Sequence, residues 1–432
     1  MKKFSIIWAG QLVSIIGTSM TRFALIVYVF QETQSPLSTV LVTVVNLIPF
    51  IIASFFAGPI IDAHSKKKIM ILSDSVAGLC TMLMFFFFVS GGLPFLIVLV
   101  CQVISGSAEA FQVPAYTASI ANFVDKKNYN KANSMRSFSS YASRLLAPVF
   151  AGFVYAFLGM KAIFLIDFST FILGIFALVI VKFPYVVMDE TSKTRMSYLR
   201  SFKETFEQIK KRPGLINLMY TFVFINLLSG ITYFGILPIF VLAKTDSELI
   251  FGWVEFFLGL GGVLGSILVF LLPVPKMKIP LLFVAVMLSY LVGDLVFAVV
   301  DTYIAWYIGA TLTSICVVFI MATETNIWQN VIEKSLHGRI FALKYMINLI
   351  SLPIGYLLGG VLAEYLFEPM FMRTSPFTRI FHPLVEQGYG SGMAFMFLLT
   401  SVFGILISLY GLSSKNLRNL DLINIHNIRE EQ

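Results

Sequence analysis

Runs of apolar residues long enough to cross a lipid bilayer recur from one end of this chain to the other. A spanning helix needs roughly 20 such residues. Twelve stretches meet that length: 4–30, 39–61, 69–90, 95–122, 134–158, 160–183, 215–243, 250–272, 279–299, 302–328, 340–366 and 391–413. Composition agrees: 58% of the 432 residues are apolar or aromatic and only 12% are charged, against roughly 25% in soluble domains. So few charges cannot coat a particle with that much apolar surface in water. The expected fold is an all-α polytopic membrane protein with twelve transmembrane helices in two six-helix halves. The Met1-Lys2-Lys3 start leads into an apolar run too long for a signal peptide, with no small-x-small cleavage site after it. It reads as an uncleaved first span.

Lys and Arg in the loops set the orientation. With both termini cytoplasmic, 25 of the 31 basic residues fall on the inner side. Lys161, Lys244, Arg373 and Arg379 fall outside, and Arg22 and Arg144 lie within spans. The net charge of +8 is thus a set of topological anchors in a multi-pass protein of the inner, cytoplasmic membrane, and no nucleic acid is expected as a partner. The longest internal break divides the chain into an N-terminal six-helix half (1–183), a cytoplasmic linker (184–214), a C-terminal six-helix half (215–413) and a cytoplasmic tail (414–432). In the linker, Met196, Leu199, Phe202, Phe206 and Ile209 recur every three or four residues among basic ones. This is the pattern of a basic amphipathic helix on the anionic inner leaflet, or else of a solvated charged linker. The outer break, 367–390, reads as a connector or as a lid over the outer mouth.

Several chemistries lack their residues. There is no G-x-x-x-x-G-K-[ST] loop, so no ATP is expected to drive this chain. There is no H-E-x-x-H and no Cys-x-x-Cys. The four histidines (His64, His337, His382, His426) lie in loops or the tail, and Cys80, Cys101 and Cys316 sit inside apolar runs as free thiols. No enzyme activity, metal or cofactor is implied. A two-half bundle without a nucleotide site fits a secondary transporter.

The loop after the second span reads Gly58-Pro59-Ile60-Ile61-Asp62-Ala63-His64-Ser65-Lys66-Lys67-Lys68. It resembles the inner-loop signature of the major facilitator superfamily, with Ala63 in place of a basic residue and Ser65 in place of a glycine. Gly58 would permit close helix packing, Asp62 places a carboxylate at the inner mouth, and Lys66, Lys67 and Lys68 anchor the loop. In the family this loop helps latch the inner side. Three further segments are similar to the macrolide-efflux branch: Ile7-Trp8-Ala9-Gly10-Gln11-Leu12-Val13-Ser14, Ala110-Phe111-Gln112-Val113-Pro114-Ala115, and Gly338-Arg339-Ile340-Phe341-Ala342-Leu343 with Pro353 following. The resemblance covers essentially the whole chain. It implies alternating access and proton-driven export of amphipathic or lipophilic compounds, such as macrolide-like drugs or secondary metabolites. Two positions depart from proton-coupled relatives. Gln102 stands where many carry Arg, and Ala147-Pro148 with Gly152 stands where the antiporter signature has Gly-Pro. Pro148 and Gly152 would still bend and thin the fifth span.

Ionisable groups at bilayer depth cost roughly 2.5–3.5 kcal/mol each, so they are the first functional candidates. Arg22, Glu109, Arg144, Asp294 and Glu324 lie deep, Asp167 less so, and Glu255 lies near an outer end. Glu109 is the candidate proton carrier with Arg22 as its partner, and Glu324 is a related candidate in the second half. The alternative is a permanent structural pair of Glu109 with Arg22 or with Arg144. Arg144, one turn before Pro148, reads as structural. Asn46, Gln102, Gln112, Asn226, Tyr233 and Asn326 are candidate polar handles in a cavity or helix–helix hydrogen bonds. Gly259 to Ser266 reads as a small-residue packing face.

Two rival functions remain at this level: import of a small nutrient on the same fold, and a membrane receptor or scaffold that transports nothing. The topology itself is testable. On a background lacking the three native cysteines, Arg379→Cys should react with an impermeant maleimide in intact cells, and Lys67→Cys only after permeabilisation. The reverse labelling would invert the assignment.

Overall fold

The computed structural model describes residues 1–125, 128–181, 183, 206–207, 209–273, 277–332, 337–373, 375–385 and 388–430. Among these residues, eleven helices are long and apolar enough to cross a membrane. In chain order the helices are α1 (Lys2–Thr33), α2 (Pro36–Ala63), α3 (Lys66–Val89), α4 (Phe95–Phe123) and α5 (Tyr129–Ile180). They continue with α6 (Pro213–Thr245), α7 (Glu248–Leu271), α8 (Lys278–Val299), α9 (Tyr303–Val331), α10 (His337–Leu362, prolonged to Phe371), α11 (Pro376–Phe381), α12 (Ser391–Ser413) and α13 (Lys415–Glu430).

The number of crossings follows from α5. Its 52 residues would reach about 78 Å at 1.5 Å per residue, far beyond a ~30 Å hydrocarbon slab. Gly159 breaks it with φ 72° and ψ 179°, a backbone conformation that a side chain disfavours. The two arms are therefore separate spans, and the crossings among the described residues number twelve. Two other helices carry single π-turns, at Thr232–Ile236 in α6 and at Ala363–Phe367 in α10. Helix α8 is interrupted at Gly293.

The chain forms two compact units: Met1–Ser192 with Thr245–Phe256, and Lys193–Lys244 with Phe257–Gln432. In the first unit, α1 lies along the second arm of α5 through small residues. A Cβ on Gly10 would stand 2.5 Å from Ala177 Cβ, and one on Gly17 would stand 2.1 Å from Thr170 Oγ1. No larger residue fits either place, and the backbones approach as small-residue faces allow. At one end of the unit the helices close over a core of Phe4, Ile7, Ile61, Met70, Tyr116, Ile120 and Leu178.

The first unit also takes in the N-terminal end of α7. Its stretch crosses α5 where a Cβ on Gly152 would lie 2.9 Å from Glu248 O, and one on Gly252 would lie 2.9 Å from Pro148 O. Phe23 stacks on Phe251 at 4.5 Å. In the second unit, the 259–266 face packs on α9, with Gly261 against Thr311.

The segment after α10 packs onto the start of α12. Phe371, Phe377 and Phe381 cluster on Phe395, Ser375 and Thr378 close a capping box, and Glu368 accepts the N–H groups of Gly390 (3.1 Å) and Met393 (2.8 Å). The linker helix expected over Met196, Leu199 and Phe202 lies outside the described residues. At its end, Ile209 is buried and Phe206 packs against the same core, that of the second unit, alongside Leu215, Leu417 and Leu420.

Helix α13 packs into that core. Leu417 and Leu420 are buried, and Asp421 accepts the backbone N–H groups of Lys278 (2.9 Å) and Ile279 (3.1 Å). It thereby pairs donors that the first turn of α8 cannot pair by itself. Burial raises the Asp421 carboxyl above the usual carboxylate range, although the two N–H bonds pull it back. A carboxyl raised on folding stabilises as pH falls through its folded value towards its unfolded one. Docking of α13 should therefore tighten on mild acidification. Asp421→Ala should lower unfolding stability by about 1–3 kcal/mol, the cost of orphaned donors. Asp421→Asn, which keeps an acceptor, should cost less and abolish the acid-side gain in a thermal-melt series over pH.

Candidate functional site

A cavity occupies the interior of the first unit, walled by α1, α3, α4 and the second arm of α5. Its lining is unusually polar for a membrane interior: Gln11, Thr18, Arg22, Asp74, Glu109, Gln112 and Asp167 face it. Three carboxylates and one guanidinium thus share a space inside a bundle whose helices are otherwise apolar.

The polar groups are held in three sets. In the middle, Arg22 Nη2 donates to Glu109 Oε2. The pair is not sealed, since the side chains are 42% and 33% exposed. To one side, Asp167 is buried and accepts hydroxyls from Thr21 (2.8 Å), Thr81 (3.0 Å) and Thr18 (3.3 Å). The charge of Arg22 also acts on it. The close approach at Gly17 brings Asp167 within reach of α1, because a Cβ there would lie 3.2 Å from Asp167 Oδ1. To the other side, Gln11 Nε2 donates to Asp74 Oδ2 at 2.9 Å, and Gln112 Nε2 donates to Gln11 Oε1 at 2.5 Å. Gln11 and Thr18 are seven residues apart, or about 10 Å along the α1 axis, so the three sets form a polar track through the unit.

The structure sorts the other candidates. Gln102 lines the cavity while accepting from Asn46 Nδ2 at 3.2 Å, so Asn46 acts as an α2–α4 tie. Glu324 pairs with Lys344 in the second unit, beneath Trp328 and Phe341, with exposures of 6% and 12%. Asn326 accepts from Asn330 Nδ2 within α9 (2.6 Å), Tyr233 donates to Thr313 (3.3 Å), and Asn226 is half-buried on α6. Arg144 is exposed, and its charge acts on Glu255 of the α7 end. Pro148 and Gly152 sit at the α5–α7 crossing.

At the α2–α3 loop, Lys67 Nζ donates to Val179 O (3.0 Å) and Val181 O (2.8 Å), closing the end of α5. Lys66 is half-buried and Lys68 exposed. Gly58 does not serve close packing: no described atom lies within 4 Å of where its Cβ would be. This corrects the expectation, because the residue faces open space and not a neighbouring helix. Asp62 belongs to α2, Gly338 and Arg339 open α10, and Pro353 lies within α10. The side chains of Asp62 and Arg339 lie outside the described part.

Two members of the polar interior are absent from the sequence-level candidates. Asp74 and Lys344 both lie within a few turns of the N-terminal ends of α3 and α10, where charge is ordinarily a membrane anchor. The signal available for Asp74 was its spacing with Thr81, Met84 and Gly78, which puts it on the same face of α3. For Lys344 it was the flanking Phe341 and Tyr345, an apolar setting for a lone cation.

Comparison with known proteins agrees with this architecture. The sequence profile of the Major Facilitator Superfamily matches residues 7–277. Macrolide efflux protein A of Streptococcus pyogenes is 23% identical over 378 residues, covering 84% of this chain and 89% of that protein. The Staphyloferrin A transporter of Staphylococcus aureus is 21% identical over 323 residues, covering 74% and 79%. Among solved structures, the nucleoside transporter NupG superposes with a TM-score of 0.67 at 10% identity, covering 96% of this chain and 99% of that one. With a family match across well over half its length, a twelve-crossing bundle and a charged interior cavity, this chain belongs to the Major Facilitator Superfamily of membrane transporters.

Proposed function

We propose that the protein is a secondary active exporter of amphipathic or lipophilic compounds, driven by exchange with protons through alternating access. The observation that carries this reading is the Arg22–Glu109 pair in the cavity of the first unit. An ion pair inside a membrane protein is stable while both charges stand. A proton on Glu109 would remove one charge and release Arg22 towards Asp167, whose carboxylate already feels it. Water and cargo can reach Glu109 because the pair is a third or more exposed.

Glu324 has a different role in this reading. Its pair with Lys344 is closed off by burial and aromatic rings, so it holds α9 to α10. The direction of transport is supported by the likeness to Macrolide efflux protein A along most of both chains. The cargo class follows from the same likeness together with the mixed polar and aromatic wall of the cavity, which includes Phe171 and Met84. The membrane is the cell membrane, with both termini cytoplasmic.

In inverted vesicles, an acid interior should drive uptake of a macrolide or a lipophilic dye, and an uncoupler should abolish it. Uptake that persists in the uncoupler would exclude proton exchange. Glu109→Gln should lower the acid-driven initial rate about tenfold or more, the effect of ~1.4 kcal/mol, and flatten its pH profile. An unaltered profile would remove Glu109 from the mechanism. Glu324→Gln should instead lower thermal stability by about 3–5 kcal/mol, because Lys344 is left buried without its partner. The shape of the pH profile should not change.

A further inference from the structure

The second unit contains a buried carboxylate that the proposed mechanism does not use. Asp294 follows the interruption of α8 at Gly293 and is 1% exposed. Thr400 of α12 donates to its Oδ1 at 2.6 Å. Its Oδ2 is buried without a hydrogen-bond partner among the described residues. No basic side chain among them acts on it. The titratable groups that face it are Tyr233 on α6 and Tyr290 on α8 itself, with Cys316 of α9 beyond Tyr233. From α12 it receives the Thr400 hydroxyl.

An ionised carboxylate this buried, with one oxygen lacking a well-formed hydrogen bond and no counter-charge among the described residues, carries a heavy desolvation penalty. Something must neutralise it. The surroundings are rich in hard oxygen. The Thr232 hydroxyl, which donates to Leu228 O at 3.2 Å, approaches the carboxylate. The Tyr233 hydroxyl and Thr313 Oγ1 crowd the bare Gly293, where a Cβ would stand 2.0 and 2.1 Å from them. Thr232 and Tyr233 open the π-turn of α6, so a broken helix and a distorted one meet at the carboxylate. Interrupted transmembrane helices with a carboxylate and hydroxyls are a recurrent way to hold Na⁺ or H⁺. On the outer side, a small pocket lined by Lys244, Val300 and Asp301 ends at Phe297, about one turn from Asp294.

We propose that Asp294 is the carboxylate of a monovalent-cation site inside the second unit, formed at the α8 break with the Thr232 and Thr400 hydroxyls, and filled by a proton or a sodium ion. Filling neutralises Asp294 and fixes the break against α6 and α12. Loss of the ion leaves a bare charge that pushes these segments apart. The site thus links ion occupancy to the shape of α6 and α8 without any cargo.

The test uses the purified full-length protein and reads its melting temperature. One arm replaces choline chloride by sodium chloride at constant ionic strength. The other lowers the pH in sodium-free buffer. Wild type and Asp294→Asn are compared in both. If sodium fills the site, the wild-type melting temperature rises with sodium and the Asn variant does not respond. If a proton fills it, the difference between the two proteins shrinks as pH falls, because the amide mimics the neutral acid. Identical responses of the two proteins in both arms would overturn the proposal. Should Asp294→Asn fail to fold, Thr400→Val keeps the carboxylate and removes one ligand. It should move the midpoint of the sodium or pH response, and an unmoved midpoint would likewise overturn the site. No transport substrate enters this experiment, so its outcome is independent of the efflux reading.

Discussion

A charge in a hydrocarbon slab must be paired or hydrogen-bonded where it stands, and much of the interior of this protein follows from that constraint. Glu109 has Arg22, Glu324 has Lys344, Asp167 has three threonine hydroxyls, and Asp74 has Gln11. Each partnership dictates a helix contact. Asp167 can meet Thr18 and Thr21 only because α1 and α5 approach through Gly10 and Gly17. The small residues and the charged ones are two parts of one arrangement: the first bring the backbones close enough for the second to be satisfied.

The two units satisfy the constraint differently. In the first, the ionisable groups line a cavity and the central pair remains open to it. In the second, the comparable pair is closed off, and the remaining carboxylate, Asp294, sits at a helix break with one oxygen unpaired among the described residues. An open pair can exchange protons and meet cargo; a closed one fixes geometry. In the proposed reading the exposure of the carboxylate separates these roles: Glu109 stands midway along α4 and open to the cavity, Glu324 about three-quarters of the way along α9 and closed off.

Much of this was legible in the sequence. The apolar runs gave twelve crossings, and the boundary at 158–160 fell on Gly159, the residue that bends α5 back. Glu109 and Arg22 were recognisable because a charge in the middle of an apolar run has few innocent explanations. Asp74 and Lys344 were not, because within two or three turns of a helix end a charge is usually an anchor. The partner of Glu324 was illegible for the same reason. The direction of Asp294 was open in the sequence, since a helix of mean apolar character does not reveal which face is inward. The α8 break and the α6 π-turn leave no sequence mark beyond Gly293 and Gly235. Gly58 shows the opposite error: a motif position whose expected packing role the structure does not provide.

The proposed coupling role of the Arg22–Glu109 pair is tested most directly by exchange kinetics. In reconstituted vesicles loaded with unlabelled cargo, Glu109→Gln should still exchange labelled for unlabelled cargo at a rate near wild type, because exchange needs no net proton movement. The same vesicles under a proton gradient should show no uphill accumulation. Uphill accumulation by Glu109→Gln equal to that of wild type would contradict the assignment.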